Sequence, residues 1–256
     1  MATGKGTNKS GYFRKDLKIR IFRSDGGATA EKIRTDPKMA GTRRQNSKFG
    51  SSSSTGKMVR DAIVDISKLG HSLLSSEITR LCGSIMDLDE STPPLIKPPI
   101  IFSRGLHLLN GYNLNKSIVF DNIISTPIQF TIDRQIFKAA VQMPPLNPGL
   151  NFRNNWNQPF FRIKINLGII RDMVFDGVAY KPISPDPQEY TELVVTEWLP
   201  TKEKYPAQSY ELQIQEPVFD ENCYLLLGIG IEFGTMKKGG INGVKDARCG
   251  KILGVA

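Results

Sequence analysis

Three stretches of this chain alternate between apolar and polar or small residues, and that period of two commits the C-terminal half to sheet. Phe161, Ile163, Ile165, Leu167 and Ile169 share one parity while Arg162, Lys164 and Asn166 take the other, the pattern of an antiparallel strand with one face on a core. Tyr210, Leu212 and Ile214 repeat it, and so do Leu225, Leu227, Ile229, Ile231 and Phe233. On the opposite parity of the last stretch, Gly228 and Gly230 leave room for a close neighbour. Residues 105–110, 117–124, 128–132, 137–142, 173–180, 191–198 and 251–255 are further candidate strands. Roughly eight or more short strands without intervening helices predict a mainly β fold, an antiparallel β-sandwich of Ig-like or jelly-roll-like type over residues 100–256.

Upstream the period becomes helical. Val59, Ala62, Ile63 and Ile66 fall on one face and stop near Gly70, a C-cap residue; Ile78, Leu81, Cys82, Ile85 and Met86 make a second face. Two short helices followed by Pro93, Pro94, Pro98 and Pro99 define a segment over residues 57–99, closed by a stiff linker. Residues 1–56 have the composition of a flexible arm, with residues 51–54, four serines, as its spacer. Within the arm, Leu17, Ile19 and Ile21 alternate with Lys18 and Arg20 as one amphipathic strand, turned by Asp25-Gly26-Gly27. A short helical turn over residues 28–33 ends near Asp36-Pro37, because the residue before proline leaves helical geometry. A lone strand in water must find a partner, on the body or on another subunit.

Charge follows the same division. The first sixty residues hold 15 Lys and Arg against 4 Asp and Glu, whereas 19 basic and 21 acidic residues follow Arg60. A basic arm on a near-neutral body suits a polyanion, an assembly partner or both. With 256 residues, 39% of them hydrophobic, the chain can bury a good-sized core, which excludes disorder throughout. No apolar leader follows Met1, and the longest apolar run, residues 224–233, is about half a membrane span and contains Glu232. The expectation is a cytoplasmic protein without a membrane span. Cys82, Cys223 and Cys249, odd in number and far apart, point to reduced thiols.

No cluster names a reaction. Between Gly50 and Gly56-Lys57 stand five residues, and Met58 follows; a phosphate loop needs four and then a Ser or Thr to ligate magnesium. Gly228 and Gly230 lack the third glycine of a dinucleotide fingerprint. His71 and His107 have no second ligand at zinc spacing, so both read as structural or surface residues. Asp87, Asp89 and Glu90 lack the turn glycine and terminal glutamate of a calcium loop and read as solvated acids. Trp156 and Trp198 would serve a carbohydrate site, but buried core aromatics explain them more simply. Catalytic, cofactor and metal residues are therefore all assigned as none, and the chain reads as no enzyme.

Gly26-Gly27, Ile33, Asp36-Pro37, Arg43, Asn46, Phe49-Gly50, Gly56-Lys57 and Arg60 at the head, with Phe161-Arg162-Ile163 and Leu227-Gly228-Ile229 further on, carry a likeness. In these residues and their order the chain resembles a set of uncharacterised bacterial proteins, mostly from the Bacteroidota. The resemblance implies a β-rich body behind a basic head and short helices, and it implies no activity.

What remains is the arm. An amphipathic strand on a long segment can add to a sheet edge of a neighbour, so the expected function is non-enzymatic self-association into an ordered assembly: a filament, ring or capsid-like shell. Leu17, Ile19 and Ile21 are the expected pairing residues of this homo-oligomer, and Arg20, Arg23, Arg43 and Arg44 the expected charge contacts. The alternative is a nucleic-acid-binding protein that neutralises phosphates through the same basic segment.

Overall fold

The computed structural model describes residues 11–14, 18–22, 28–88, 98–183, 190–215 and 221–256. The fold is mainly β, with antiparallel sheets and a helical region. Two compact units divide the chain, Met1–Asn46 and Ser47–Ala256.

In the first unit, β1 (Gly11–Arg14) and β2 (Ile19–Phe22) form an antiparallel hairpin, with Arg14 opposite Ile19 and Gly11 opposite Phe22. The expected strand around Ile19 thus finds a partner within the arm itself, where the body or another subunit was expected. α1 (Ala30–Thr35) begins where Thr29 Oγ1 accepts from the Lys32 N–H at 3.2 Å. It stops at Asp36, whose extended backbone (ψ 122°) is the geometry that Pro37 imposes. The Asp36 carboxylate then caps a single 3₁₀ turn, Pro37–Met39, by accepting from the Lys38 N–H at 2.9 Å.

α2 (Ala40–Ala62) overturns the spacer reading, because residues 51–54 are helical. Serine has no strong helix preference, but its small size serves a packed helix pair. Ser51, Ser52, Thr55, Gly56, Val59 and Ala62 are buried in α2. After Ile63 leaves helical geometry, α3 (Val64–Ser67) and α4 (Leu74–Met86) follow. α2 and α4 meet through small residues: a Cβ at Gly56 would lie 3.1 Å from Thr79 Oγ1, and one at Gly83 would lie 3.2 Å from Ser52 Oγ. Tertiary contact here overrides local propensity.

The strands that follow are β3 (Gln129–Asp133), β4 (Lys138–Met143), β5 (Phe160–Arg171), β6 (Met173–Phe175), β7 (Tyr180–Pro182), β8 (Thr191–Val195), β9 (Leu199–Pro200), β10 (Gln208–Gln213), β11 (Cys223–Lys237) and β12 (Gly240–Val255). The larger sheet has the order β12-β11-β5-β8, with β9 also on β5; the smaller has β10-β4-β3; β6 and β7 make a separate hairpin. Two expected strands are corrected. Residues 105–110 and 117–124 form the 3₁₀ turns Leu106–Leu108 and Phe120–Asn122, which set Leu106 three residues before buried Leu109 and Phe120 three before buried Ile123.

Both faces of the larger sheet carry a core. The odd-numbered residues from Phe161 to Ile169 of β5 and from Cys223 to Phe233 of β11, with Ala247, Cys249 and Leu253 of β12, share one core with Ala139, Val141, Met143 and Leu212 of the smaller sheet. Leu226, Ile252 and Val255 face the other way and join Val59, Ile66, Ile78, Cys82 and Ile85 of the helices in a second core. Cys82 thus lies in the helix-side core, and Cys223 and Cys249 in the core between the sheets. None forms a disulfide, and burial pushes the Cys82 and Cys249 thiols up to about 12.

The expected close neighbour of Gly228 and Gly230 is the turn around α3. Ile63 and Ile66 press on Gly228, Leu69 on Gly230, and Ile66 also on Gly250, while the Ala62 carbonyl rests on Gly168. Burying a side chain such as Ile66 stabilises by roughly 1.5–3 kcal/mol, which holds the helices on the sheet.

Candidate functional site

The expected pairing residues occupy the arm hairpin. Ile19 is 49% exposed and Phe13, on the facing strand, 57%. Ile21 pairs with Tyr12 and Arg20 with Phe13 along the ladder. Leu17 and Arg23 lie outside the described residues.

Arg43 and Arg44, expected to act together, have different surroundings. Arg43 is half-buried, and its Nη1 donates to the carbonyls of Ile33 and Asp36, both at 2.8 Å, tying the start of α2 to the end of α1. Arg44 is exposed, as are Lys32, Arg34 and Lys38. Glu31 and Asp36 are the acids between residues 28 and 46, so this helical stretch has a positive surface.

Within the second unit, charged side chains form tethers. Glu77 on α4 accepts from Tyr112 Oη at 3.1 Å and from Lys116 Nζ at 2.5 Å, and His71 Nε2 lies 3.5 Å away. Leu114 O can only accept, so His71 Nδ1, at 3.0 Å, carries the proton there. Burial works to raise the Glu77 carboxyl, but the Lys116 and Tyr112 hydrogen bonds, with the charges of His71 and Lys116, hold it below its usual range. Burial, together with donation to Glu77, pushes Tyr112 up to about 12. The structural reading of His71 thereby acquires its partners, which sequence spacing could not supply. On the larger sheet Glu232 accepts from Arg162 at 2.8 Å, Lys164 lies 3.2 Å away, and Arg162 lies 4.5 Å over the Trp198 ring. The Glu232 carboxyl is likewise held low, the two cations outweighing burial. Asp87 binds Lys48 at 2.5 and 2.6 Å, while Asp89 and Glu90 lie outside the described residues. Among the described residues no group of three or more His, Cys, Asp and Glu could hold a metal ion.

An open cleft of about 760 Å³ lies among residues 148–159 and 201–202. Its walls are set by amide side chains that mimic backbone turns. Asn154 accepts from the Gln158 N–H at 3.2 Å and donates to the Gln158 carbonyl at 2.7 Å, and Thr201 Oγ1 donates to the same carbonyl at 2.7 Å. Asn157 takes a left-handed backbone (φ 52°), which asparagine tolerates. Phe152 backs the cleft, its ring 4.6 Å from Phe161 in the core. Arg153, Asn155, Asn157 and Lys202 are exposed along it. This lining offers hydrogen bonds and positive charge, without a histidine or carboxylate to move a proton. In the sequence this cleft is marked only by an amide-rich run, Asn151, Asn154, Asn155, Asn157 and Gln158, which by itself names no site. Trp156 packs on Phe233 at 5.3 Å and Trp198 lies beneath Arg162, so each indole has a packing role.

At its β8 border the larger sheet exposes Leu193 (37%) and Val195 (42%). Sequence reasoning counted residues 191–198 as a strand and could not tell that it lies at an edge. Among the described residues no helix is long and apolar enough to cross a membrane. The chain matches no protein-family model, no curated protein and no solved structure.

Proposed function

We propose that this chain is a non-enzymatic structural subunit that self-associates through its basic N-terminal arm, with a β-sandwich as its body. The observation that carries the reading is the β1–β2 hairpin. It has two strands, and among the described residues each pairs only with the other. It also exposes Phe13 and Ile19. A two-stranded hairpin is marginal in water, and ladder edges that no other described strand pairs with, beside apolar side chains, invite another strand. Ile19 and Ile21 make the pairing contacts in this reading. The core shared by the two sheets supports the sandwich, and three buried thiols support a reducing, cytoplasmic setting.

Size exclusion with light scattering on the full chain, at low and high salt, tests it. The expected result is a defined, salt-resistant species larger than the protomer and free of nucleic acid. A protomer-sized species across the working concentration range overturns the reading.

The second reading is polyanion binding, favoured by the exposure of Lys32, Arg34, Lys38 and Arg44 on one short helical stretch. Arg44→Ala is then expected to weaken binding to unrelated nucleic-acid sequences alike and to flatten the salt dependence. Unchanged affinity removes Arg44 from the contact.

A further inference from the structure

We infer that the outer edge of β8 is the acceptor for the arm, taking strand β2 of a second copy; this rests on the self-association reading and names its missing half. The ladder between β5 and β8 fixes which backbone groups are free. Thr196 N–H donates to Ile163 O at 3.0 Å and Ile169 N–H to Tyr190 O at 3.3 Å. Leu167 stands opposite Glu192 and Ile165 opposite Val194. In an antiparallel ladder, hydrogen-bonded pairs fall at every second position. Tyr190, Glu192, Val194 and Thr196 therefore face β5, while Thr191, Leu193 and Val195 turn their N–H and C=O groups away from it. β8 pairs with β5 and with no other described strand. β10 of the smaller sheet passes nearby, yet it pairs with β4.

Among the described residues this edge lacks the usual protection. Sheet borders are commonly guarded by lysines, prolines or bulges, whereas β8 itself has no lysine or proline, exposes Leu193 and Val195, and carries one charge of its own, Glu192. The arm strand is complementary in side-chain parity and in charge. Laid along β8, β2 brings Ile19 onto the face of Leu193 and Val195. Arg20 then takes the opposite face, with Glu192. Main-chain bonds give the affinity and the alternating side chains give the register. Joining the arm of one copy to the body of the next is a heterologous contact, which closes into a ring or continues as a filament.

Leu193→Pro tests the edge specifically, because it deletes an outward N–H and leaves the β5 ladder intact. The association midpoint of the full chain is expected to rise at least tenfold, and Ile19→Asp, made in the arm, is expected to do the same. Amide exchange in the unsubstituted protein gives a second readout that does not depend on any variant folding. Leu193 and Val195 should exchange at least tenfold more slowly at assembling concentrations than at dilute ones. Assembly with these amides exchanging at one rate at every concentration overturns β8 as the acceptor and leaves arm-mediated association standing. A chain that never associates overturns both.

Discussion

A methyl group added at Gly168 would collide with the carbonyl of Ala62, so Gly168→Ala forces either the helix end or the strand to move. We expect a loss of about 1–3 kcal/mol, the usual range for overpacking, read from the midpoint of urea unfolding. Ser52 is the opposite case. Among the described residues its Oγ is buried without a hydrogen-bond partner, and an unsatisfied buried hydroxyl is costly. Ser52→Ala should therefore stabilise the fold, by about 1 kcal/mol, and a clear loss of stability would show that the hydroxyl is satisfied after all. Glu77 gives the molecule a dependence on pH. Its carboxyl is held below the ordinary value in the fold, so the stability it contributes is fully present above the unfolded value near 4.3. That contribution is lost as pH falls through the lower folded value. Glu77→Gln should lower stability near neutral pH by about 1–3 kcal/mol and flatten the decline on acidification. An unchanged slope in urea midpoints between pH 7 and pH 3 would remove Glu77 as its source.

Among the elements, legibility in the sequence followed burial. β5 and β11 were readable because one face of each meets the core between the sheets, so the period of two survives in the letters. Their second covered face appeared only as Gly228 and Gly230, whose smallness announced a neighbour without identifying it as α3. β12 was seen only at its end: Gly240 to Lys245 are mostly exposed and carry little apolar alternation, although Gly240 to Gly243 pair with residues 234–237 of β11. The end of α2 was readable from Val59 and Ala62, but its earlier part was hidden because the buried stripe there is Ser51, Ser52, Thr55 and Gly56, residue types that elsewhere signal a linker. Leu106, Leu108 and Leu109 misled in the other direction, since a short apolar run fits a strand or a 3₁₀ turn equally well. The arm strand was legible, but its partner β1 was not, because Gly11–Arg14 has no alternation to read. Of the candidate site, Arg44 and Ile19 were reachable from composition and parity. The cleft and the Glu77 tether depend on residues far apart in the chain.

At the scale of the whole second unit, the larger sheet is the shared wall of both cores. Losing either core exposes that wall, so helices and smaller sheet should unfold together. We expect one calorimetric transition for Ser47–Ala256, moved to lower temperature both by Ile66→Val on the helix side and by Leu212→Ala between the sheets. The first should cost about 0.5–1.5 kcal/mol and the second about 2–5 kcal/mol. Two resolved transitions, each answering to one variant, would mean that the cores are independent.

The positions of the cysteines make this coupling observable without any label being built in. A thiol-specific reagent needs the thiolate, and Cys82 and Cys249 are deep and poorly ionised, so each reacts only when its own layer opens. Matching modification rates at the two sites would time a single opening of the molecule. A faster Cys82 would clock the lifting of the helices from a sheet that stays closed behind them.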